Sequence, residues 1–405
     1  MTSPVGLGIA LFDDSNVQDP YPLYRRMHAV APVHAIGDSG FHAVSGWDAI
    51  NDVIARPEDF SSNLTATMML QPDGTVGKFV MGELGGPTQA LATADDPVHE
   101  VHRKKLLPQL AARRIRASEP FIEQTADELW GAGVQDGRIE WMSGVANRLP
   151  MMIVGRIIGV PDEDTDKLVR WGYSATQTVE GLVGQDELNA AGVSIMELSG
   201  YVTEQFQRAA QNPGDNLLGD LATACASGEL DDLAALTIMI TLFSAGGEST
   251  ASLIGSAAWI LATRFEVQQQ LREKPELLAT FLEEVLRYEP PFRGHYRHVV
   301  DDTTLAGVDL PAGSRLVLLW GAANRDPSHF EDPDEFRLDR SGAKSHLTFG
   351  KGAHFCVGAA LARLEAQIVL GHLLAHTTRI EAADVGRWLP SLLVRRLEHL
   401  NLAVQ

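Results

Sequence analysis

The stretch that most constrains this chain runs from Phe349 to Glu365, FGKGAHFCVGAALARLE. Its start, residues 349–352, carries two glycines and predicts a loop, because glycine is unfavourable inside helices and strands. Cys356 follows, and an uninterrupted run of helix formers begins at Ala359. The cysteine is therefore predicted to lie where a loop enters a helix. Backbone N–H groups and the positive end of the helix dipole favour a thiolate at that point.

A buried thiolate needs a cationic partner. A zinc ion would require three further ligands, and the chain has only one other cysteine, Cys225, and no CxxC pair. Haem iron requires one strong protein ligand. The ligand count therefore favours haem.

The pattern FxxGxxxCxG, with Gly352 and His354 in their expected positions, resembles the haem-binding loop of the cytochrome P-450 haem-thiolate monooxygenases. The similarity is to soluble bacterial members of the actinobacterial and mycobacterial type, and it spans nearly the whole chain. It implies haem b as the cofactor and Cys356 as the axial ligand of its iron. It also implies that Phe349, His354 and Gly358 contact the haem.

The chain length of 405 residues alone predicts two domains. The resemblance implies instead a single domain over residues 1–405. That fold is mainly α and triangular, with small β regions. The haem is then expected between the long central helix and the helix that follows Cys356.

The formal net charge of −20 argues against nucleic acid or an anionic membrane as a general partner. Two cysteines fit a reducing compartment, and the N-terminus lacks a basic signal-peptide region, so a cytoplasmic location is expected. Residues 102–105 and 113–116 form a basic island that, by itself, reads as a solvated helix face. The resemblance implies that an acidic ferredoxin docks there, reduced by an NAD(P)H-dependent ferredoxin reductase.

Residues 233–263 are predicted to form one long apolar helix of roughly 45 Å. Glu248 lies in its middle, where a charge in a bilayer would cost about 2.5–3.5 kcal/mol. A buried core helix is therefore favoured over a membrane span.

Residues 245–250 of that helix read AGGEST. Small side chains at Ala245 and Gly246 allow a flat ligand to approach the backbone. An acid beside an alcohol can relay protons from water to a reacting oxygen. The resemblance implies this role for Glu248, Ser249 and Thr250, although the family pattern has threonine where Ser249 stands.

His99 and Arg103 are separated by one helical turn and share a face. The resemblance implies that they bind the haem propionates together with Arg297 and His354. It also implies that Glu284 and Arg287 form a buried structural ion pair. The arginine that usually completes this network is replaced by Glu335, so the sequence leaves open whether Arg337, Arg340 or neither completes it.

Residues 61–96 show no steady period and are predicted to be irregular. In the family this segment caps the substrate pocket, so Met68, Met69, Phe79 and Met81 are candidates for an apolar pocket wall or for core packing. Phe292, Arg293 and His295 match a strand that lines the pocket. Arg293 and His295 are expected to face solvent or a propionate, or to bind a polar or anionic group of the substrate.

The implied reaction inserts one oxygen atom from O₂ into a small lipophilic substrate, by hydroxylation or epoxidation. The alternative is a haem-thiolate protein that binds or senses ligands without turnover. Such a protein has no need of Glu248 and Ser249, so their presence favours the enzyme.

Overall fold

The longest helix of the computed structural model runs from Asp232 to Thr263, close to the predicted range, and the Asp231 side chain caps its start by accepting a hydrogen bond from the Ala234 N–H (2.7 Å). The structure describes residues 4–84, 89–177, 181–182 and 184–405. The helices of this part of the chain are α1 Pro4–Ile9, α2 Asp14–Gln18, α3 Tyr21–Val30, α4 Trp47–Ala55, α5 Val98–Leu106, α6 Ala112–Ala117, α7 Glu119–Gly133, α8 Leu149–Ile158, α9 Thr165–Gln177, α10 Gln185–Gln211, α11 Leu217–Ala226, α12 Asp232–Thr263, α13 Phe265–Glu273, α14 Leu278–Tyr288, α15 Trp320–Ala323 and α16 Ala359–Ala375.

Helix α12 packs against α8, α9 and α16. Its residues from Gly247 to Leu261 are almost all buried. Within the described ranges it is the one helix long and apolar enough to cross a membrane by length and composition. Its burial among other helices is the environment of a core helix, as predicted.

The glycine pair of α12 allows α8 to pack closely against it. A Cβ atom on Gly246 would lie 2.8 Å from Cγ2 of Val154, and one on Gly247 would lie 2.5 Å from Cε of Met151. Helix packing therefore provides a reason for these glycines in addition to the predicted approach of a ligand.

In the described part of the chain the strands are short and form four small sheets. They are β1 Val33–Ala35, β2 Phe41–Val44, β3 Phe60–Ser61, β4 Ala66–Leu70, β5 Val76–Val80, β6 Arg138–Glu140, β7 Gly294–Val299, β8 Thr303–Leu305, β9 Val308–Leu310, β10 Arg315–Leu319, β11 Ile380–Val385 and β12 Leu400–Val404. The sheets have the strand orders β1-β2-β10-β7-β3, β11-β12-β6, β4-β5 and β8-β9. The expectation of a mainly α fold with small β regions is confirmed.

Strand β7 places two predicted site residues on one face. It pairs antiparallel with β10, with His295 opposite Leu318 and Arg297 opposite Leu316. Because alternate residues of a strand share a face, His295 and Arg297 point the same way. Gly294 starts the strand because a Cβ atom there would collide with the backbone oxygen of Leu318.

The prediction that residues 61–96 are irregular is wrong for the hairpin formed by β4 and β5, which pair antiparallel from Ala66–Val80 to Leu70–Val76. Its turn is closed by a hydrogen bond from the Gln71 N–H to the Thr75 carbonyl (2.8 Å), with Gly74 at a φ of 82°. Methionine, glycine and lysine in these strands conceal the two-residue period.

Glu284 of α14 binds two buried arginines. Arg287 donates from Nε and Nη2 to its two carboxylate oxygens (both 2.7 Å), and Arg340 donates from Nε (3.0 Å). Arg340 is therefore the third member that the sequence left open. The side chain of Arg337 turns instead to Asp339 (3.3 Å).

Glu283, the neighbouring residue, ties α14 to α16. It accepts hydrogen bonds from Arg363 (2.6 and 3.0 Å), and it contacts His346 (3.2 Å). Burial alone would raise the pKa of Glu283, but these partners outweigh it and lower the pKa to about 2. The Arg363 guanidinium also lies 4.4 Å from the centre of the Phe349 ring. Helix α14 thus holds both the start of α16 and the glycine-rich loop before it.

Candidate functional site

The loop before α16 has the predicted glycine-dependent shape. Gly350 and Gly352 adopt positive φ values of 67° and 68°, and the Cys356 N–H donates to the Phe349 carbonyl (2.8 Å). Burial raises the pKa of the Cys356 thiol, while the N–H groups of Gly358 and Ala359 oppose that rise. The sulfur therefore lies in surroundings where a bound cation would stabilise its thiolate form.

A cavity of about 250 Å³ lies between this loop and the central helix. One wall comes from α12 and the other from the cysteine loop and the first turn of α16. The predicted residues that line it on these two walls are Ala245, Gly246, Ser249, Thr250, Phe349, His354, Cys356 and Gly358. The structure thus brings the two strongest sequence motifs together on one cavity.

One edge of the cavity is basic. His99 and Arg103 of α5, Arg297 of β7 and His354 all line it. The rings of His99 and His354 have their centres 4.1 Å apart, and Nε2 of His354 lies 3.0 Å from Oγ of Ser62. The four residues predicted to bind propionates are therefore neighbours.

The electrostatics of this edge favour an anion. Burial lowers the pKa of Arg297 to about 10, and the charge of Asp95 opposes this shift. Burial and the charges of Arg297 and His99 lower the pKa of His354 to about 4. A carboxylate bound here would relieve both effects through charge-assisted hydrogen bonds. The basic donors and the thiol, which line one cavity, thus fit haem b, with its two propionates and one axial ligand.

Glu248 differs in placement from its two neighbours in sequence. Ser249 and Thr250 line the cavity, and the Ser249 hydroxyl donates to the Ala245 carbonyl (2.6 Å). Glu248 is only 1% exposed, and it accepts hydrogen bonds from Thr176 of α9 (2.5 Å) and from Nε of Arg396 in a loop near the C-terminus (3.1 Å). Burial raises its pKa, and these two partners oppose the rise. The acid and the alcohols are adjacent in sequence but face different sides of α12.

Phe292 and His295 also line the cavity, next to Pro291 and Trp320. Nδ1 of His295 accepts a hydrogen bond from the Trp320 indole (2.6 Å). Burial, together with the charges of Arg297 and His354, lowers the pKa of His295 to about 4. This imidazole is therefore neutral at neutral pH and offers the cavity a polar but uncharged group.

Arg293 lies outside the set of residues that line this cavity. It is buried, and its guanidinium donates to the backbone oxygen of Val17. With Tyr24 and Met68 it lines a separate, much smaller cavity. The reason is that Arg293 precedes β7, so the alternation that directs His295 and Arg297 does not extend to it. Its placement does not support contact with an anionic substrate group or a propionate.

The other predicted pocket residues are also placed elsewhere. Met68 is buried in the core beside β5, and Met69, Phe79 and Met81 do not line the main cavity. Core packing, the second of the two roles considered, describes Met68.

Three residues that the sequence did not single out belong to this region. Thr176 and Arg396 bind Glu248 although they lie 72 and 148 residues away in the sequence. No pattern of neighbouring residues could therefore have predicted these contacts. Glu365 lines the cavity with a buried carboxyl group, and burial raises its pKa well above the ordinary value. Its position in the cysteine motif was the available signal.

The basic island divides between interior and surface. Arg103 lines the cavity and His102 is buried, whereas Lys104 pairs with Glu100 (2.7 Å) and Arg114 with Asp215 (2.5 Å) at the surface. Arg113 and Arg116 are exposed. The outward charge is thus smaller than the sequence suggests.

Comparison with known proteins agrees with this geometry. The cytochrome P450 family model matches residues 196–379. Cytochrome P450 144 of Mycobacterium tuberculosis is 67% identical over 394 residues, covering 97% of this chain and 91% of that protein. The beta-dihydromenaquinone-9 omega-hydroxylase of Mycobacterium tuberculosis is 31% identical, covering 97% of this chain and 78% of that protein. The crystal structure of ligand-free Mycobacterium smegmatis CYP164A2 matches with a TM-score of 0.87 and 29% identity, covering 98% of this chain and 100% of that one. The chain therefore belongs to the cytochrome P450 family and is a haem-thiolate monooxygenase that binds haem b.

Proposed function

We propose that this P450 inserts one atom of O₂ into a C–H or C=C bond of a small lipophilic substrate. The two electrons come from NAD(P)H through a ferredoxin reductase and a ferredoxin. The observation that carries the proposal is the single cavity shared by Cys356, the α12 alcohols Ser249 and Thr250, and a basic edge. When bound, the haem supplies the oxidising chemistry, and the protein supplies placement, water exclusion and protons.

The residues around the haem have separate roles in this proposal. Cys356 would bind the haem iron, with Phe349 and Gly358 beside it. His99, Arg103, Arg297 and His354 would hold the propionates at the basic edge. Ala245 and Gly246 would give the haem a wall without large side chains. The support is that all of these residues line one cavity.

Proton delivery is assigned to Glu248, Ser249 and Thr250. The Ser249 hydroxyl uses its proton to bind the Ala245 carbonyl, so its oxygen is free to accept a hydrogen bond from a donor in the cavity. Burial raises the pKa of Glu248 and favours a carboxyl that carries a proton. To deliver it, the side chain must leave Thr176 and Arg396 and turn toward Ser249.

The substrate is proposed to be neutral. The cavity wall includes Leu91, Leu242 and Phe292, and the neutral His295 imidazole is its polar group on the β7 side. Arg293, the cation considered for an anionic substrate, binds the Val17 carbonyl in a separate small cavity.

The remaining parts of the proposal concern the whole chain. It acts as one domain in the cytoplasm, and the ferredoxin docks on the side of α5 and α6. The exposed Arg113 and Arg116 offer positive charge for that contact.

The test is turnover under ¹⁸O₂ with a surrogate ferredoxin, its reductase and NADPH, using neutral lipophiles that shift the Soret band of the ferric protein. The expected product carries one ¹⁸O atom. A protein that binds such ligands tightly but gives no product with several redox partners would instead be the non-catalytic haem-thiolate binder.

Replacing Glu248 by glutamine is expected to lower the rate of product formation about 100-fold, because an amide cannot deliver a proton as a general acid. Haem content and ligand affinity should stay unchanged, since Glu248 does not line the cavity. Turnover is compared with that of Glu266→Gln, an exposed change on α13. Equal rates in the two variants would remove Glu248 from the proton path.

A further inference from the structure

Three side chains with metal-binding atoms meet where α7 packs against the end of α16. They are Asp127 of α7, His372 of the last turn of α16 and His376, the residue that caps that helix. Their ligand atoms all lie within 4.8 Å of one another. None of the three lines the haem cavity, so this cluster is separate from the site described above.

The two histidines are four residues apart and therefore lie on the same face of the helix. Their rings are stacked, with centres 3.9 Å apart and planes 19° apart. The Trp130 ring, three residues after Asp127 on α7, contacts both imidazoles, with centre-to-centre distances of 5.8 and 6.3 Å. This contact restricts the rings and gives the cluster an apolar side.

Hydrogen bonds determine which nitrogen atoms of the two histidines can bind a metal ion. Nδ1 of His376 lies 3.0 Å from the backbone oxygen of His372, so it carries the proton and leaves the Nε2 lone pair free. Nε2 of His372 lies 2.5 Å from Oδ1 of Asp127. A metal ion that enters between these two atoms replaces the proton they share and releases it to solvent.

We propose that Asp127, His372 and His376 form a surface site for a divalent transition-metal ion, with Zn²⁺ as the reference ion. Two imidazoles and one carboxylate are a common three-ligand set for zinc, with water in the fourth position. At zinc–ligand distances of about 2.0–2.2 Å, tetrahedral ligand atoms lie about 3.4 Å apart. Rotation of the exposed Asp127 side chain, with small shifts of the two imidazoles, can bring the present atoms to that spacing.

The choice of ion follows from the ligand types. Imidazole favours zinc, copper and nickel, whereas Mg²⁺ and Ca²⁺ prefer sites made of oxygen alone. Because Asp127 and His372 are 245 residues apart, the bound ion links two distant parts of the chain. An ion that binds only the folded chain raises its stability.

The experiment uses haem-loaded protein that has been treated with a chelator and then titrated with ZnCl₂ by calorimetry. The wild type is expected to bind one Zn²⁺ at this site, and a 100-fold excess over Kd should raise the apparent Tm by about 3 °C. MgCl₂ should have no such effect. The double variant His372→Gln/His376→Gln should lose this binding and the Tm shift, and Asp127→Asn should weaken binding at least about tenfold.

The matched control is His399→Gln, which removes an exposed histidine that also contacts a carboxylate, Asp384 (2.8 Å), but belongs to no three-ligand group among the described residues. It should bind Zn²⁺ as the wild type does. Equal haem content and far-ultraviolet circular dichroism show that the variants are folded. The proposal is overturned if the wild type binds no Zn²⁺, or if the double variant binds it with unchanged affinity.

Discussion

Replacing Cys356 by serine is expected to abolish product formation and the spectral signature of thiolate ligation. The sulfur lies at the end of a loop shaped by Gly350 and Gly352 and faces the cavity beside α16. A serine oxygen fits the same space but does not supply the thiolate sulfur on which the spectrum and the O–O cleavage depend. The absorption spectrum of the reduced carbon monoxide complex and the turnover rate measure the two losses.

The control for this change is Cys225→Ser. Cys225 lies on α11, and burial, together with a hydrogen bond and charge from Asp232, raises its pKa to about 11. Its thiol is therefore a poor metal ligand at neutral pH. The control should keep both the spectrum and the activity. If Cys356→Ser kept the thiolate spectrum and Cys225→Ser lost it, Cys225 and not Cys356 would be the ligand of the haem iron.

Local signals predicted the elements that hold the site. The apolar run of residues 233–263 located α12, which spans Asp232–Thr263, to within one residue. The glycines before Cys356 adopt the positive φ values that their presence suggested. In each case the residues that determine the structure are neighbours in sequence, so a short window contains the information.

Contacts between distant residues could not be predicted in this way. Thr176 and Arg396 bind Glu248 from α9 and from a loop near the C-terminus, and neither carries a motif. The choice between Arg337 and Arg340 depended on the path of an irregular segment, which turns the Arg340 guanidinium inward and that of Arg337 outward. The partners of Glu248 and the choice of Arg340 over Arg337 were both decided by the direction of the side chains, which the sequence position does not give.

The five residues from Arg293 to Arg297 show the same limit. His295 and Arg297 share a face of the strand and both reach the cavity. Arg293 has the same two-residue spacing from His295, but it precedes the strand, and its backbone N–H pairs with the Leu393 carbonyl (2.8 Å). A pattern of alternate residues therefore indicates a shared face only where the strand actually continues.

Replacing Glu284 by alanine is expected to destabilise the folded protein by about 3–5 kcal/mol, the cost of leaving a buried charge without its partner. Arg287 is completely buried and Arg340 is 7% exposed, and both direct guanidinium groups at this carboxylate. Their remaining hydrogen bonds go to backbone carbonyls, which do not neutralise the charge. Denaturant unfolding of the haem-loaded protein, followed by circular dichroism, measures the loss. If this variant does not fold, Glu284→Gln keeps the side-chain volume and gives the same comparison.

The matched control is Arg337→Ala. The Arg337 side chain is 33% exposed and pairs with the surface carboxylates of Asp339 and Asp332, so its removal should change the free energy of unfolding little. Arg340→Ala should lower the free energy of unfolding clearly more, because it removes a buried cation from Glu284 and leaves the Glu331 carbonyl without its Arg340 donor. Equal stabilities of the Arg337 and Arg340 variants would contradict the assignment of Arg340 to the network. The family motif places this arginine two residues after its proline, where this chain has Glu335. A clear difference between the two variants would show that Arg340, five residues later, fulfils the same role. Burial and side-chain direction would then matter more than position in the motif.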